Sequence, residues 1–185
     1  MKSGPQKYVC DLTLDRNTLC KKLSLSENDR KITWGEKQQP YDSHQERFDY
    51  WAQVLCTEGL TGRCYWEVEW SEVGAHIAVT YKGINRFGSG KDCRLGYNDK
   101  SWILEFYKDS SAVYHNSNKA KIPVNPSNCH RVGVYLDWPA GILSFYRVSS
   151  DTLTHLYTFN TTFTEPLYPG FNLWPKSIVS LCQLV

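Results

Sequence analysis

An all-β fold of two packed antiparallel sheets, with at most short helices near the N-terminus, is predicted by three observations on this sequence. Short runs of β-branched and aromatic residues recur from end to end, separated by turns rich in Gly, Pro, Asn, Asp and Ser, which is the pattern of many antiparallel strands. Period-two alternation is explicit in the middle of the chain, where Tyr65, Glu67 and Glu69 fall on one face and Trp66, Val68 and Trp70 on the other. No stretch carries an amphipathic helical period over three turns. Aromatic residues make up 14% of the 185 residues, and large rings both favour strands and supply binding anchors.

Strands are expected at 9–14, 23–25, 31–34, 53–56 and 63–70, then at 75–81, 101–106, 112–115, 131–137, 141–147, 154–159 and 177–184. The pair 131–137 and 142–146 reads as a hairpin, because Trp138-Pro139-Ala140-Gly141 supplies the turn chemistry between them. A turn or two of helix fits 11–19 or 43–49. The segment 1–7 reads as a disordered lead-in. With no internal repeat and no low-complexity linker, the rest forms one domain, large enough to fold without a metal or a disulfide.

Composition removes several function classes. The net charge is +2 with acids and bases interspersed, and no run of Lys and Arg could neutralise a row of phosphates, so nucleic acid is not an expected partner. No apolar stretch approaches the roughly 20 residues that span a bilayer, so neither membrane insertion nor a secretory leader is expected. The seven cysteines are odd in number, widely spaced and never Cys-x-x-Cys, which argues against a disulfide framework or a zinc site and for reduced thiols in a cytoplasmic protein. The sequon Asn160-Thr161-Thr162 is accordingly read as unused.

The ordered motifs resemble the PRY-SPRY family from about Tyr8 to Val185. The first half, 8–60, is similar to the PRY segment in Asp11-Leu12-Thr13-Leu14-Asp15, Leu23-Ser24-Leu25-Ser26-Glu27, Trp34-Gly35, Glu46-Arg47-Phe48-Asp49 and Val54-Leu55-Cys56-Thr57-Glu58-Gly59. The second, 61–185, resembles SPRY in Gly62-Arg63-Cys64-Tyr65-Trp66-Glu67-Val68-Glu69, in the 131–146 hairpin and in Pro166-Leu167-Tyr168-Pro169. The resemblance implies a curved, concanavalin-like jelly-roll sandwich whose variable loops form a cleft for a protein or peptide. It also implies the settings of such modules: the substrate-reading ends of tripartite-motif ubiquitin ligases, innate-immune NOD-like receptor tails, butyrophilins, and toxin subunits resembling stonustoxin. The wording is most similar to the ligase and receptor tails.

Four segments are expected to line that cleft. Residues 38–51 carry Tyr41, His44, Phe48 and Trp51 among polar neighbours, with Tyr41 and Trp51 as candidate contacts and Phe48 able to serve the core instead. Residues 81–97 hold Lys82, Arg86 and several glycines, and their length and mixed charge suit a contact loop. The Walker phosphate-loop pattern fails there, because Asn85 stands five positions before Gly90 and no Ser or Thr follows Lys91. In 102–107, alternation puts Ile103, Glu105 and Tyr107 on one face, and Glu105 identifies it as the wetter one. Antibody-binding relatives carry aromatics at both matching positions, whereas only Tyr107 keeps a ring here, so a different partner is expected. The last segment, Phe171-Asn172-Leu173-Trp174-Pro175-Lys176, resembles the family's final binding loop, with Asn172 as a contact and Trp174 as the leading anchor.

No catalytic pattern competes with this reading. Gly88-Ser89-Gly90 lacks the spacing of a nucleophile elbow, and the five histidines are scattered without metal-ligand spacing. No cofactor is implied, and without zinc-ligand patterns the chain cannot transfer ubiquitin alone. The alternative is a phosphorylated-metabolite sensor of butyrophilin type, in which His76 and Arg86 would hold an anion that Glu105 opposes.

Overall fold

The alternation at 65–70 becomes the centre of one sheet and the hydrophobic run at 75–81 the centre of the other. The structure, a computed structural model, describes residues 4–35, 38–71, 73–107, 110–123 and 129–184. Among these, thirteen strands form: β1 (Leu23–Ser26), β2 (Lys31–Trp34), β3 (Gln53–Leu55), β4 (Arg63–Ser71), β5 (Gly74–Tyr81), β6 (Ser101–Tyr107), β7 (Ser110–His115), β8 (Asn118–Lys121), β9 (Arg131–Asp137), β10 (Ile142–Ser149), β11 (Thr152–Asn160), β12 (Leu167–Asn172) and β13 (Ile178–Leu181). A seven-stranded sheet runs β1-β2-β13-β4-β9-β10-β11, and a six-stranded sheet runs β3-β12-β5-β6-β7-β8. Every pairing between named strands is antiparallel.

The core lies between the sheets. Trp66, Val134 and Phe145 stand in register across β4, β9 and β10, and all are buried. Val54, Phe171, Ile77, Leu104 and Val113 make the facing row across the six-stranded sheet. Trp70 stacks on Phe106 with ring centroids 5.1 Å apart, joining the two layers. Each such side chain contributes roughly 1.5–3 kcal/mol through removal from water, which explains why the hydrophobic pattern alone specifies the architecture.

Departures from the sequence reading have local causes. The expected strand at 9–14 is two isolated bridges, Val9 with Tyr65 and Leu14 with Cys56; the segment crosses from the edge of β4 to the end of β3, so it serves both sheets and can be a strand of neither. Strand β12, where no strand was expected and whose last two residues open the expected binding loop, holds Pro169 and Gly170, which normally argue against a central strand. The Pro169 carbonyl accepts from Cys56 N at 2.8 Å, so its missing N–H faces the end of the short β3 ladder and no bond to β5 is lost. Polar β8, absent from the expected strands, pairs only with β7 among the described residues.

Disorder is expected through residue 7, yet Gly4–Tyr8 forms a 3₁₀ turn secured by Tyr8, whose ring lies 5.9 Å from Tyr135 and whose hydroxyl accepts from Arg63 at 3.0 Å. Residues 1–3 lie outside the described residues. A second 3₁₀ turn is Lys91–Cys93, while 11–19 and 43–49 hold no helix.

Contrary to expectation, not every cysteine is a reduced thiol. Cys10 and Cys64 are joined as a disulfide, their Cα atoms 5.5 Å apart, a normal span for such a bridge. Their positions 54 residues apart concealed this, because the Val9–Tyr65 bridge that brings them together is tertiary. Cys20, Cys56, Cys93 and Cys129 are free and buried.

Candidate functional site

On the outer face of the six-stranded sheet, the register lines up Gln53, Asn172, His76, Glu105 and Ala112 across β3, β12, β5, β6 and β7. Two residues further along β6 and beyond β12, on the same face, come Tyr107 and Trp174. Residues 82–100 fold over the other end of this face. Buried Gln53 holds them there: its Nε2 donates to Cys93 O at 2.8 Å, and its Oε1 accepts from Leu95 N at 2.9 Å. Asn172 Nδ2 reaches the same Oε1 at 3.4 Å.

Arg86, expected at the contact surface, is instead 7% exposed. Its Nε donates to Ile84 O at 3.0 Å, its Nη1 to Glu46 O at 2.6 Å and its Nη2 to Lys82 O at 2.8 Å, and it lies over the Phe48 ring. The guanidinium therefore stitches the 38–51 loop to the 82–100 loop. Sequence could not reveal this, because an Arg in a mixed-charge loop looks the same whether it faces a partner or its own carbonyls. Tyr41 is likewise tied down, donating to Leu23 O at 3.0 Å with Arg47 over its ring, which places it with β1. Lys82 is exposed, 3.7 Å from Glu46, a surface pair of little energetic weight.

Asn172, expected as a contact, is only 6% exposed and bonded within the sheet, whereas Glu105, Tyr107 and Trp174 lie near one another. Trp174 Nε1 donates to His76 Nε2 at 2.6 Å, and the Tyr107 ring lies 5.1 Å from the Trp174 ring. An indole N–H is only a donor, so His76 Nε2 must be the acceptor and Nδ1 carries the proton. That Nδ1 has no hydrogen-bond partner among the described residues and lies 3.6 Å from Glu105 Oε1, beyond hydrogen-bond length. Burial lowers the His76 pKa to about 3, with a smaller contribution from Arg94. Desolvation raises that of Glu105 to about 7 against the opposing pull of Arg94, Tyr97 and Lys119. The close pair is therefore a neutral imidazole beside a carboxyl that titrates near neutrality, and not an ion pair.

Around it runs a chain of stacked groups that the sequence reading did not assemble. Arg94 lies 4.6 Å from the Trp51 ring centroid and 3.9 Å from that of Tyr97, and Tyr97 stacks on Tyr114 at 4.9 Å. Trp51 Nε1 donates to Gly90 O at 3.3 Å. These contacts orient Trp51, Tyr97 and Arg94 along one side of the face, opposite Tyr107 and Trp174. Alternation could have put His76 and Glu105 each on the outer face, but only the β5–β6 register makes them neighbours.

The anion pocket of the alternative reading is not assembled: His76 Nε2 is occupied by Trp174 and the Arg86 donors by carbonyls. No group of three or more His, Cys, Asp or Glu residues suited to a metal occurs among the described residues, and no described helix is long and apolar enough to cross a membrane.

Two family models match: the SPRY-associated domain PRY at residues 12–60 and the SPRY domain at 63–184. The chain is 49% identical over 168 residues to stonustoxin subunit beta of Synanceia horrida, covering 90% of this chain and 24% of that protein. It is 35% identical to tripartite motif-containing protein 16 of Mus musculus, covering 92% and 31%. It thus spans only about a quarter to a third of these relatives. The solved TRIM65 PSpry domain superposes with a TM-score of 0.86 at 26% identity, covering 97% of this chain and 94% of that one. SPRY domains are in general protein-interaction modules. On both family matches and the shared fold, this chain belongs to the PRY-SPRY family.

Proposed function

We propose that the outer face of the six-stranded sheet, from Trp51 to Trp174, binds a protein or peptide partner without catalysing a reaction, and that the chain is the ligand-reading domain of a larger innate-immune ubiquitin ligase or sensor. The observation that carries this reading is the half-buried Tyr107–Trp174 ring pair beside Glu105. The rings are held in place by the scaffold yet remain partly open to solvent, which is the arrangement of an interface anchor. Exposed Phe87 and Tyr50 extend the apolar surface along the neighbouring loops.

The tripartite-motif relative supports the ligase or sensor parent, and the stonustoxin relative supports a different parent for the same module. A cytoplasmic location goes with the first. The Cys10–Cys64 bond weighs against it, because such bonds are rare where thiols are kept reduced.

Quantitative pull-down with cross-linking, comparing the wild-type domain with a Tyr107→Ala, Trp174→Ala double variant whose fold is verified by circular dichroism, tests the reading. Partners captured by the wild type and lost from the folded variant are expected. An unchanged partner list would move the site elsewhere.

A further inference from the structure

Glu105 is the unusual group on this face. Its side chain is 13% exposed, and Tyr97 Oη reaches its Oε1 only at a long 3.4 Å. No guanidinium or ammonium among the described residues lies within ion-pair distance of it; the single neighbour that near is His76, which is neutral. A carboxyl so poorly compensated is costly to ionise where it stands, yet Tyr97 reaches it from one side, and the Tyr107–Trp174 ring pair lies further along the same face, with His76 between Trp174 and the carboxyl. Carboxylate and aromatic rings together complement an organic cation, through an ion pair and cation–π contact at once.

Resting on the reading of this face as the partner site, we propose that Glu105 is its specificity-determining residue, accepting a lysine or arginine side chain that the partner inserts beside the Tyr107–Trp174 ring pair. Binding the cation shifts Glu105 fully to its carboxylate, and the proton held by its protonated fraction leaves to solvent.

The groups facing Glu105 are His76 from β5, Arg94 and Tyr97 from the 82–100 loop and Lys119 from β8. His76 and Tyr97 stay neutral between pH 6 and 8, since burial lowers the first and raises the second away from that window. The pH response there belongs to Glu105. With its pKa at about 7, the ionised fraction rises roughly tenfold from pH 6 to pH 8, and affinity for a cationic ligand rises with it.

The test is selection of a displayed random nonapeptide library on the wild-type domain and on Glu105→Gln, with the Tyr107→Ala, Trp174→Ala variant as reference and all folds verified by circular dichroism. Enrichment of Lys or Arg at one peptide position, lost in Glu105→Gln, with affinity of the selected peptides rising severalfold from pH 6 to pH 8, is expected. Ring-dependent peptides without that enrichment, or with acidic or apolar residues in its place, would overturn the inference and leave the partner-site reading intact. Failure to select any peptide that depends on the two rings would overturn both.

Discussion

At the scale of single residues, His76 and Glu105 act on stability in opposite senses. The folded-state pKa of Glu105 is raised to about 7, so the unfolded chain gives up that proton first and the folded state loses stability as pH rises from about 4.5 to 7. The folded-state pKa of His76 is lowered to about 3, so the unfolded chain binds a proton the folded state refuses and stability is lost as pH falls from about 6.5 to 3. Between about 4.5 and 6.5 the two slopes have opposite sign and nearly cancel. Urea midpoints measured across that window are therefore expected to differ between variants. His76→Gln will show stability falling with rising pH, Glu105→Gln will show it rising, and the wild type will lie between them. Identical slopes in all three proteins would contradict the desolvation of the pair.

At the scale of elements, the β9–β10 hairpin depends on one backbone position. Gly141 has φ +72° and donates to Trp138 O at 3.1 Å, and a Cβ there would meet the Thr161 carbonyl oxygen within 1.7 Å. Gly141→Ala combines a left-handed backbone with a backbone clash, so a loss of at least ~2 kcal/mol is expected in chemical denaturation. The same change at Gly62, whose Cβ would meet nothing within 4 Å, serves as the control and should lie within about 0.5 kcal/mol of wild type. This hairpin was legible because turn chemistry and alternation agree along it. Strand β12 was not, because Pro169 and Gly170 argue locally for a loop, and only the pairing of both its edges reveals a strand.

At the scale of the whole molecule, the Cys10–Cys64 bridge ties the N-terminal segment to β4 and closes a span of 54 residues. In the chain-entropy account such closure contributes about 4 kcal/mol, or roughly 10 °C in Tm for a chain of this size. Calorimetry with and without a reductant, and on Cys10→Ser, is expected to show that drop, and mass spectrometry after alkylation of the unreduced protein should find these two thiols unlabelled. Equal Tm values would mean that the packing of Val9 and Leu12 alone secures the segment.

By itself the sequence determined the all-β class, most strand positions, the 131–146 hairpin and the family. Alternation and turn residues are local, and a core of this size needs little else to specify which faces are apolar. Only the tertiary structure decided that Arg86 is scaffold, that Gln53 anchors the 82–100 loop, that Cys10 meets Cys64, and that His76 stands between Trp174 and Glu105. Each of those facts depends on strand register and loop closure between residues far apart in the chain, and a residue's chemistry does not state which neighbours will remove it from water.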